Sequence, residues 1–124
     1  MIEADALVRR YLAAWNETDP VHRRQVLAEV WAEDGSYTDP LVAVTGRDAF
    51  DQVIEAVQQQ FRGLVFRLAG GIDAHHNLAR FGWVLGPEDA ADGTVLLAGF
   101  DVAVATPDGR LSAVHGFLDQ VPTV

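Results

Sequence analysis

Three polar side chains stand inside apolar stretches of this 124-residue chain, and their types suit proton-transfer chemistry. Tyr11 lies in Arg-Tyr-Leu-Ala-Ala-Trp-Asn, Asp39 ends Gly-Ser-Tyr-Thr-Asp-Pro, and Asp101 interrupts Val-Leu-Leu-Ala-Gly-Phe-Asp-Val-Ala-Val-Ala. A carboxylate is costly to bury unless it is hydrogen-bonded, paired or neutralised. Three polar groups, two of them carboxylates, from distant parts of one small chain therefore predict a polar-lined internal pocket.

The strand around Asp101 supports a pocket wall better than a packed core. Because successive strand residues face opposite sides, Phe100 and Val102 share one face while Gly99, Asp101 and Ala103 share the other. Small residues beside a carboxyl leave room for a ligand. Asp39 precedes a proline and should be extended; it could be a pocket group or a turn residue that binds its own backbone.

The elements that position these groups follow two patterns. The first half contains three amphipathic helical stretches, which begin near the N-terminus, after Asp19-Pro20 and after Thr45-Gly46. Gly35 should end the second helix and lead into a short strand at 36–38. The second half contains four strand-like segments: 64–72, 78–85, 94–106 and 111–118. Pro107-Asp108-Gly109, between the last two segments, predicts a hairpin turn. Helices followed by hairpin-connected strands predict an α+β fold, in which the helices cover a curved, mostly antiparallel sheet.

Composition limits the partners. A net charge of -9 argues against nucleic acid and against an anionic membrane as the main partner. Cysteine is absent, no phosphate-binding glycine loop is present, and apolar runs are only strand-length. We therefore expect a single cytoplasmic domain, residues 1–124, that needs no cofactor or metal.

The segments Tyr-Leu-Ala-Ala-Trp-Asn, Tyr-Thr-Asp-Pro and Asp-Gly-Arg-Leu, in this arrangement, resemble the nuclear transport factor 2-like superfamily. That group includes SnoaL-like polyketide cyclases, ketosteroid isomerases, limonene epoxide hydrolases and scytalone dehydratases. The resemblance covers essentially the whole chain. It implies a single SnoaL-like domain shaped as a cone, with a bent sheet wrapped around three helices, an internal pocket, and a homodimer formed through the outer side of the sheet.

Within this superfamily, ketosteroid isomerase offers the nearest functional analogy, and it is a standard example of pKa tuning. The resemblance implies that Asp39, in its Asp-Pro step, is the general base. Tyr11 and a protonated Asp101 would form the oxyanion hole. The pocket would take an apolar small molecule that bears oxygen groups.

Arg80 allows a different chemistry. If its side chain faces inward, the guanidinium enters the same pocket as Asp101 and keeps that carboxyl ionised, so Asp101 could not be a neutral donor. An Arg–Asp pair would then polarise water or a substrate oxygen, as in the limonene epoxide hydrolases that the chain resembles. If Arg80 faces outward, it is a surface or interface residue. The sequence leaves both orientations open.

Four further side chains are candidates for ligand contact. Trp15, Trp31 and Trp83 supply large flat surfaces suited to an aromatic ligand, although core packing explains them equally well. His76 is a candidate for an auxiliary proton-transfer role. His75 and His76 cannot both bind one metal ion on a strand, because neighbouring residues point to opposite faces.

These observations predict a small-molecule pocket protein that acts as a cofactor-independent isomerase, cyclase, dehydratase or epoxide hydrolase. Its catalysis would be general acid–base chemistry with Asp39 as the base. The alternative is a non-catalytic module of the same fold that binds a small ligand or another protein.

Overall fold

The computed structural model describes residues 3–89 and 93–121. Within these ranges the chain forms three helices and six strands, one strand more than the sequence predicts. The elements are α1 (Ala4–Asn16), α2 (Pro20–Val30), β1 (Trp31–Thr38), β2 (Ala43–Thr45), α3 (Arg47–Gln60), β3 (Leu64–His75), β4 (Leu78–Pro87), β5 (Leu97–Ala105) and β6 (Leu111–Gln120).

The six strands form one mixed, curved and unclosed sheet in the order β2-β1-β6-β5-β4-β3. Every neighbouring pair is antiparallel except β1 and β6, which are parallel. The helices cover the concave face of the sheet. The predicted α+β cone is therefore confirmed, with the addition of the short strand β2, which the sequence did not signal.

Local signals place the helix starts and one hairpin. Asp19 caps α2 by accepting a hydrogen bond from the Val21 amide at 3.1 Å, and Pro20 occupies the first helical turn, where its missing N–H costs nothing. Gly46, at φ +99°, precedes α3. The turn between β5 and β6 closes through Gly109 at φ +84°, a conformation that suits glycine.

The region after α2 differs from its prediction. Helix α2 ends at Val30, and β1 begins directly at Trp31 instead of after Gly35. The Trp31 indole N–H folds over the strand and donates to the Gly35 carbonyl at 3.1 Å. A Cβ at position 35 would lie 2.5 Å from the same indole nitrogen, so glycine is required here by packing and does not break a helix.

A cluster of aromatic rings fills the space between helices and sheet. Trp31 and Phe50 stack at a centroid distance of 4.1 Å, and the Tyr11 ring lies nearly parallel to both. Trp15 meets the edge of this cluster through Phe50 and Tyr37. This packing fixes α1 and α3 against β1, and thereby fixes the side chains that α1 presents to the sheet.

An ion pair is buried between the helices. The Arg23 Nε donates to Asp51 Oδ1 at 2.6 Å, and Arg23 Nη1 donates to the Gln58 side-chain oxygen and to the Glu17 carbonyl. The Gln58 amide in turn donates to the Trp15 and Glu17 carbonyls. This network joins α2 and α3 to the end of α1. Its guanidinium is 1 % exposed, so Asp51 is neutralised inside the protein.

Candidate functional site

A cavity of about 340 Å³ lies between the concave face of the sheet and helices α1 and α3. Its walls are mainly aromatic and aliphatic. Among the described lining residues, the acidic side chains are two aspartates, and no Arg, Lys or His is present. The described lining residues are Leu12, Trp15, Tyr37, Asp39, Leu41, Val57, Gln60, Phe61, Phe66, Trp83, Leu97, Asp101, Gly116, Phe117, Leu118 and Val121. The volume is at the lower end of the roughly 300–1,000 Å³ typical of small-molecule sites.

Asp101 lies deep in this cavity, on the inner face of β5, and is 4 % exposed. Its Oδ1 accepts the indole N–H of Trp83 at 3.1 Å, and the Tyr11 hydroxyl lies 3.4 Å from Oδ2. Burial raises the pKa of Asp101 to about 7, against the opposing effect of the two donors and with a further upward contribution from the Asp39 charge. Asp101 therefore changes its protonation state near neutral pH.

Asp39 lies just beyond the end of β1 and is half-buried at the same cavity. Its Oδ1 accepts the backbone amides of Leu41 and Val42 at 2.8 and 3.0 Å, and its Oδ2 accepts the Tyr37 hydroxyl at 2.8 Å. Asp39 therefore combines the two roles considered from the sequence: it binds the backbone of its own turn, and it lines the cavity. Three donors on two oxygens suit a carboxylate, which only accepts hydrogen bonds.

The two carboxyl groups approach each other over a glycine. A Cβ built on Gly116 would lie 2.9 Å from Asp101 Oδ1 and 3.5 Å from Asp39 Cβ. Residue 116 pairs with Asp101 across the β5–β6 ladder, so any side chain there would enter the space that the carboxyls share. The absence of a side chain at this position is what lets both groups reach the cavity floor.

Tyr11 stands behind Asp101 and does not line the cavity. Its ring is 1 % exposed within the aromatic cluster, and its hydroxyl faces the Asp101 carboxyl. Burial, followed by the nearby Asp101 charge, raises the pKa of Tyr11 well above its ordinary value, so the hydroxyl keeps its proton. The structure brings the three residues of the sequence prediction together, but Tyr11 reaches a ligand only through Asp101.

Two of the predicted tryptophans form cavity walls. The Trp83 ring lies against Gly99, where a Cβ would be 2.1 Å from Trp83 Cζ2, and this contact aims the indole N–H at Asp101. Trp15 forms the helical side of the cavity and meets Phe66 at a centroid distance of 5.2 Å. Asn16 holds Phe66 in place through two hydrogen bonds to its backbone, at 2.8 and 2.9 Å.

Arg80 does not enter the cavity, which corrects the inward orientation considered from the sequence. Its neighbour Phe81 pairs with Asp101 across the ladder, so Phe81 shares the inner face and Arg80 points to the outer one. The Arg80 side chain is 62 % exposed and pairs with Asp73 on β3. The Arg–Asp pocket pair expected for an epoxide-hydrolase-type site is therefore absent from the described part of the chain.

Two more predicted contacts lie outside the cavity. Trp31 is fully buried in the aromatic cluster. Its indole N–H donates to the Gly35 carbonyl, and its ring stacks on Phe50. His76 is exposed in the turn between β3 and β4, at φ +52°, where it lines an open cleft at the opposite end of the sheet. Neither side chain can serve the ligand roles predicted for it.

Tyr37 is the site residue that sequence reasoning missed. It is buried, it lines the cavity, and it binds Asp39 directly. Burial, followed by the Asp39 and Asp101 charges, raises the pKa of the Tyr37 hydroxyl, which therefore remains a donor. The signal was its two-residue spacing from Asp39, because residues i and i+2 of an extended segment face the same side.

Among the described residues, no three His, Cys, Asp or Glu side chains cluster in a way that could hold a metal ion. The same part of the chain contains no helix that is both long and apolar enough to cross a membrane. The polar side chains that line the cavity carry carboxyl, phenol, indole and amide groups.

Comparison with known proteins gives a family and a fold. The sequence model of the SnoaL-like domain matches residues 8–114. A search of curated proteins finds no match. Among solved structures, a SnoaL-like family protein from Agrobacterium tumefaciens, provisionally named an isomerase, is 41% identical, with 93% of this chain and 96% of that chain covered and a TM-score of 0.85.

More distant structures share the fold alone. A protein from Sinorhizobium meliloti, provisionally named a polyketide cyclase, is 14% identical with a TM-score of 0.69, covering 90% of this chain and 93% of that one. A hypothetical protein of ketosteroid isomerase-like fold from Catenulispora acidiphila, in complex with trimethylamine, is 16% identical with a TM-score of 0.70, covering 89% and 82%. With the family match over most of its length and the fold established, the chain belongs to the SnoaL-like family of the nuclear transport factor 2-like superfamily.

Proposed function

We propose that this protein is a cofactor-independent enzyme that moves a proton on an apolar substrate bearing a carbonyl group, with Asp39 as the general base. The observation that carries the proposal is the pair of carboxyls in one aromatic cavity with opposite environments. Asp39 has three hydrogen-bond donors, whereas burial raises the pKa of Asp101 to about 7. A hydrogen-bonded acceptor beside a carboxyl that can be neutral near pH 7 offers one site both a base and a hydrogen-bond donor.

In the reaction, Asp39 takes a proton from the carbon next to the substrate carbonyl. The C–H electron pair forms a carbon–carbon double bond, and the carbonyl π pair moves to the oxygen. Neutral Asp101 donates a hydrogen bond to that developing oxyanion. In a β,γ-unsaturated carbonyl substrate, return of the same proton from Asp39 to the γ-carbon re-forms the carbonyl, moves the double bond into conjugation with it and restores the base, so atoms and charge balance without a cofactor.

Tyr11 and Trp83 support Asp101 in this scheme without touching the substrate oxygen. Both are donors to the carboxyl, and both are fixed by packing, Tyr11 in the aromatic cluster and Trp83 against Gly99. The outward position of Arg80 favours this proton transfer over epoxide opening, because no cation among the described cavity-lining residues forces Asp101 to stay ionised. Cyclisation and dehydration of a similar substrate would use the same groups.

The test is Asp39→Asn, assayed by hydrogen–deuterium exchange at the α-carbon of hydrophobic cyclic ketones. Asparagine keeps the carbonyl oxygen that accepts the turn amides but cannot accept the proton. We expect the exchange rate to fall by about 10²- to 10⁴-fold, the usual contribution of a general base, while ketone affinity stays within a few-fold.

Asp73→Asn is the matched control, because it removes one carboxylate from the opposite face of the sheet and should leave exchange unchanged. Equal exchange by wild type and Asp39→Asn would refute the base assignment. Ligand binding without any exchange by wild type would instead favour a non-catalytic binding module.

We also propose a homodimer formed through the outer face of the sheet. Phe100 and Val102 lie on that face, because Asp101 between them faces the cavity, and both side chains are only partly buried. Apolar side chains left partly exposed on the outside of a sheet are the kind of patch that marks an interaction site. Light scattering of the purified protein should give twice the mass of 13.5 kDa, and the monomer mass would refute the dimer.

A further inference from the structure

We infer that the substrate of this cavity carries a cationic nitrogen, such as a protonated or quaternary amine, in addition to its oxygen group. The inference rests on the proposed function, which makes the cavity the substrate site. It names the class of substrate that the charges and walls of the cavity select.

The first argument is charge balance. The described lining residues include Asp39 and Asp101 but no Arg, Lys or His. The nearby cations are directed elsewhere: Arg80 pairs with Asp73 on the outer face, and the Arg67 guanidinium lies against the Glu88 carbonyl. Asp39 is therefore a half-buried carboxyl that accepts hydrogen bonds but has no counter-ion among the described lining residues, and an organic cation would supply one.

The second argument is the chemistry of the walls. Phe66 meets Trp15 at a centroid distance of 5.2 Å and Trp83 at 5.3 Å, and all three rings line the same cavity as the two carboxyls. Aromatic rings attract organic ammonium groups through their negative faces, and the attraction grows when water is excluded. A wall built from aliphatic side chains alone would hold an apolar ligand but would not prefer a cation.

The third argument concerns the reaction itself. Proton abstraction creates an oxyanion in a cavity whose described lining offers neutral donors but no Arg, Lys or His. A positive charge carried by the substrate would stabilise that oxyanion from within. The net charge of -9 on the chain adds a field that attracts cations and repels anions at longer range.

The test compares three ligands of nearly one shape by calorimetry at pH 6: choline, its neutral isostere 3,3-dimethylbutan-1-ol, and the anion 3,3-dimethylbutanoate. At this pH Asp101 is largely protonated, given its pKa of about 7, and the other titratable groups that face the cavity are Asp39 and Tyr37. We expect choline to bind at least ten-fold more tightly than the alcohol, and the carboxylate to bind least.

Two variants locate the preference. Asp39→Asn should reduce the choline-to-alcohol ratio to near one, whereas Asp73→Asn, which removes an equal charge from the outer face, should keep it. Phe66→Leu should lower choline affinity several-fold with little effect on the alcohol. A wild-type ratio near one, or a ratio that Asp39→Asn leaves unchanged, would overturn the inference.

These outcomes are separable from those of the proposed function. If the isosteres bind equally while ketone exchange still depends on Asp39, the cationic substrate is wrong and the proton-transfer function stands. If no ligand of the three binds and no ketone exchanges, the cavity is not the site and both proposals fail.

Discussion

Asp51 and Asp101 are both buried carboxyls, yet their surroundings make them opposite kinds of residue. Asp51 contacts the Arg23 guanidinium at 2.6 Å inside a packed helix interface. Asp101 has only neutral donors, Trp83 and Tyr11, and faces a cavity. A cation beside a buried carboxylate keeps the carboxylate ionised, and the pair then has a structural role. Without one, the protonation state stays adjustable, which is what acid–base chemistry requires.

The helix pair gives the largest expected effect. Arg23→Met would leave Asp51 buried without its cation, and breaking a buried pair from one side costs about 3–5 kcal/mol of unfolding free energy. Urea unfolding measures the loss. Arg23→Met combined with Asp51→Leu removes both charges and should recover most of it. A single variant as stable as wild type would mean that Asp51 needs no counter-ion and that the contrast with Asp101 is false.

Removing the charge of Asp101 should stabilise the protein at high pH, whereas removing the charge of Arg23 should destabilise it. Because the pKa of Asp101 is raised from 3.8 to about 7 in the folded protein, the native state holds this proton more tightly than the unfolded chain. The contribution of Asp101 to stability is therefore greatest below pH 4 and is lost as pH rises toward 7 and above.

Asp101→Asn removes this titration and mimics the neutral carboxyl. We expect it to be more stable than wild type at pH 8 by roughly 2–4 kcal/mol, given about 1.4 kcal/mol per pKa unit, and to show little difference at pH 4. Thermal unfolding of both proteins across this range is the measurement. A variant that is less stable at pH 8 would show that Asp101 is held as a charged group, like Asp51.

The glycine between the two cavity carboxyls gives the smallest effect of the three. Gly116→Ala places a methyl group 2.9 Å from Asp101 Oδ1, and we expect a loss of about 1–3 kcal/mol from overpacking together with weaker ligand binding. Gly71→Ala on β3 is the control, because its Cβ would meet nothing within 4 Å. Equal behaviour of the two variants in urea unfolding and calorimetry would show that the carboxyls do not need this space.

Much of the fold could be read from the sequence because its signals are local. The Asp19-Pro20 start of α2 and the turn at Gly109 depend on a few neighbouring residues, and both appear as predicted. The short strand β2 and the early start of β1 were not predictable in this way. They depend on strand pairing and on a Trp31 side chain that folds back over Gly35, and both contacts are set by packing.

The site was predicted in part for the same reason. The alternation around Asp101 predicts a cavity wall, and Asp101 lines the cavity, but the inward position of Trp83 was left open together with the orientation of Arg80. The orientation of Arg80 was left open because alternation tells which residues of a strand share a face but not which face points inward. The sequence does not distinguish Trp31 from Trp15 as a ligand contact. The arrangement of the helices places Trp31 in the core and Trp15 in the cavity wall.

The sequence by itself determined the family, the order of the elements and the three polar residues that meet at one place, because each is encoded in residue type and spacing. The tertiary structure decided which charges share a space. In the folded protein Arg80 points away from Asp101, and Arg23 forms an ion pair with Asp51. The Tyr37 hydroxyl donates a hydrogen bond to Asp39. Electrostatic environment depends on distance and burial across elements far apart in the chain, and those quantities exist only after the chain has folded.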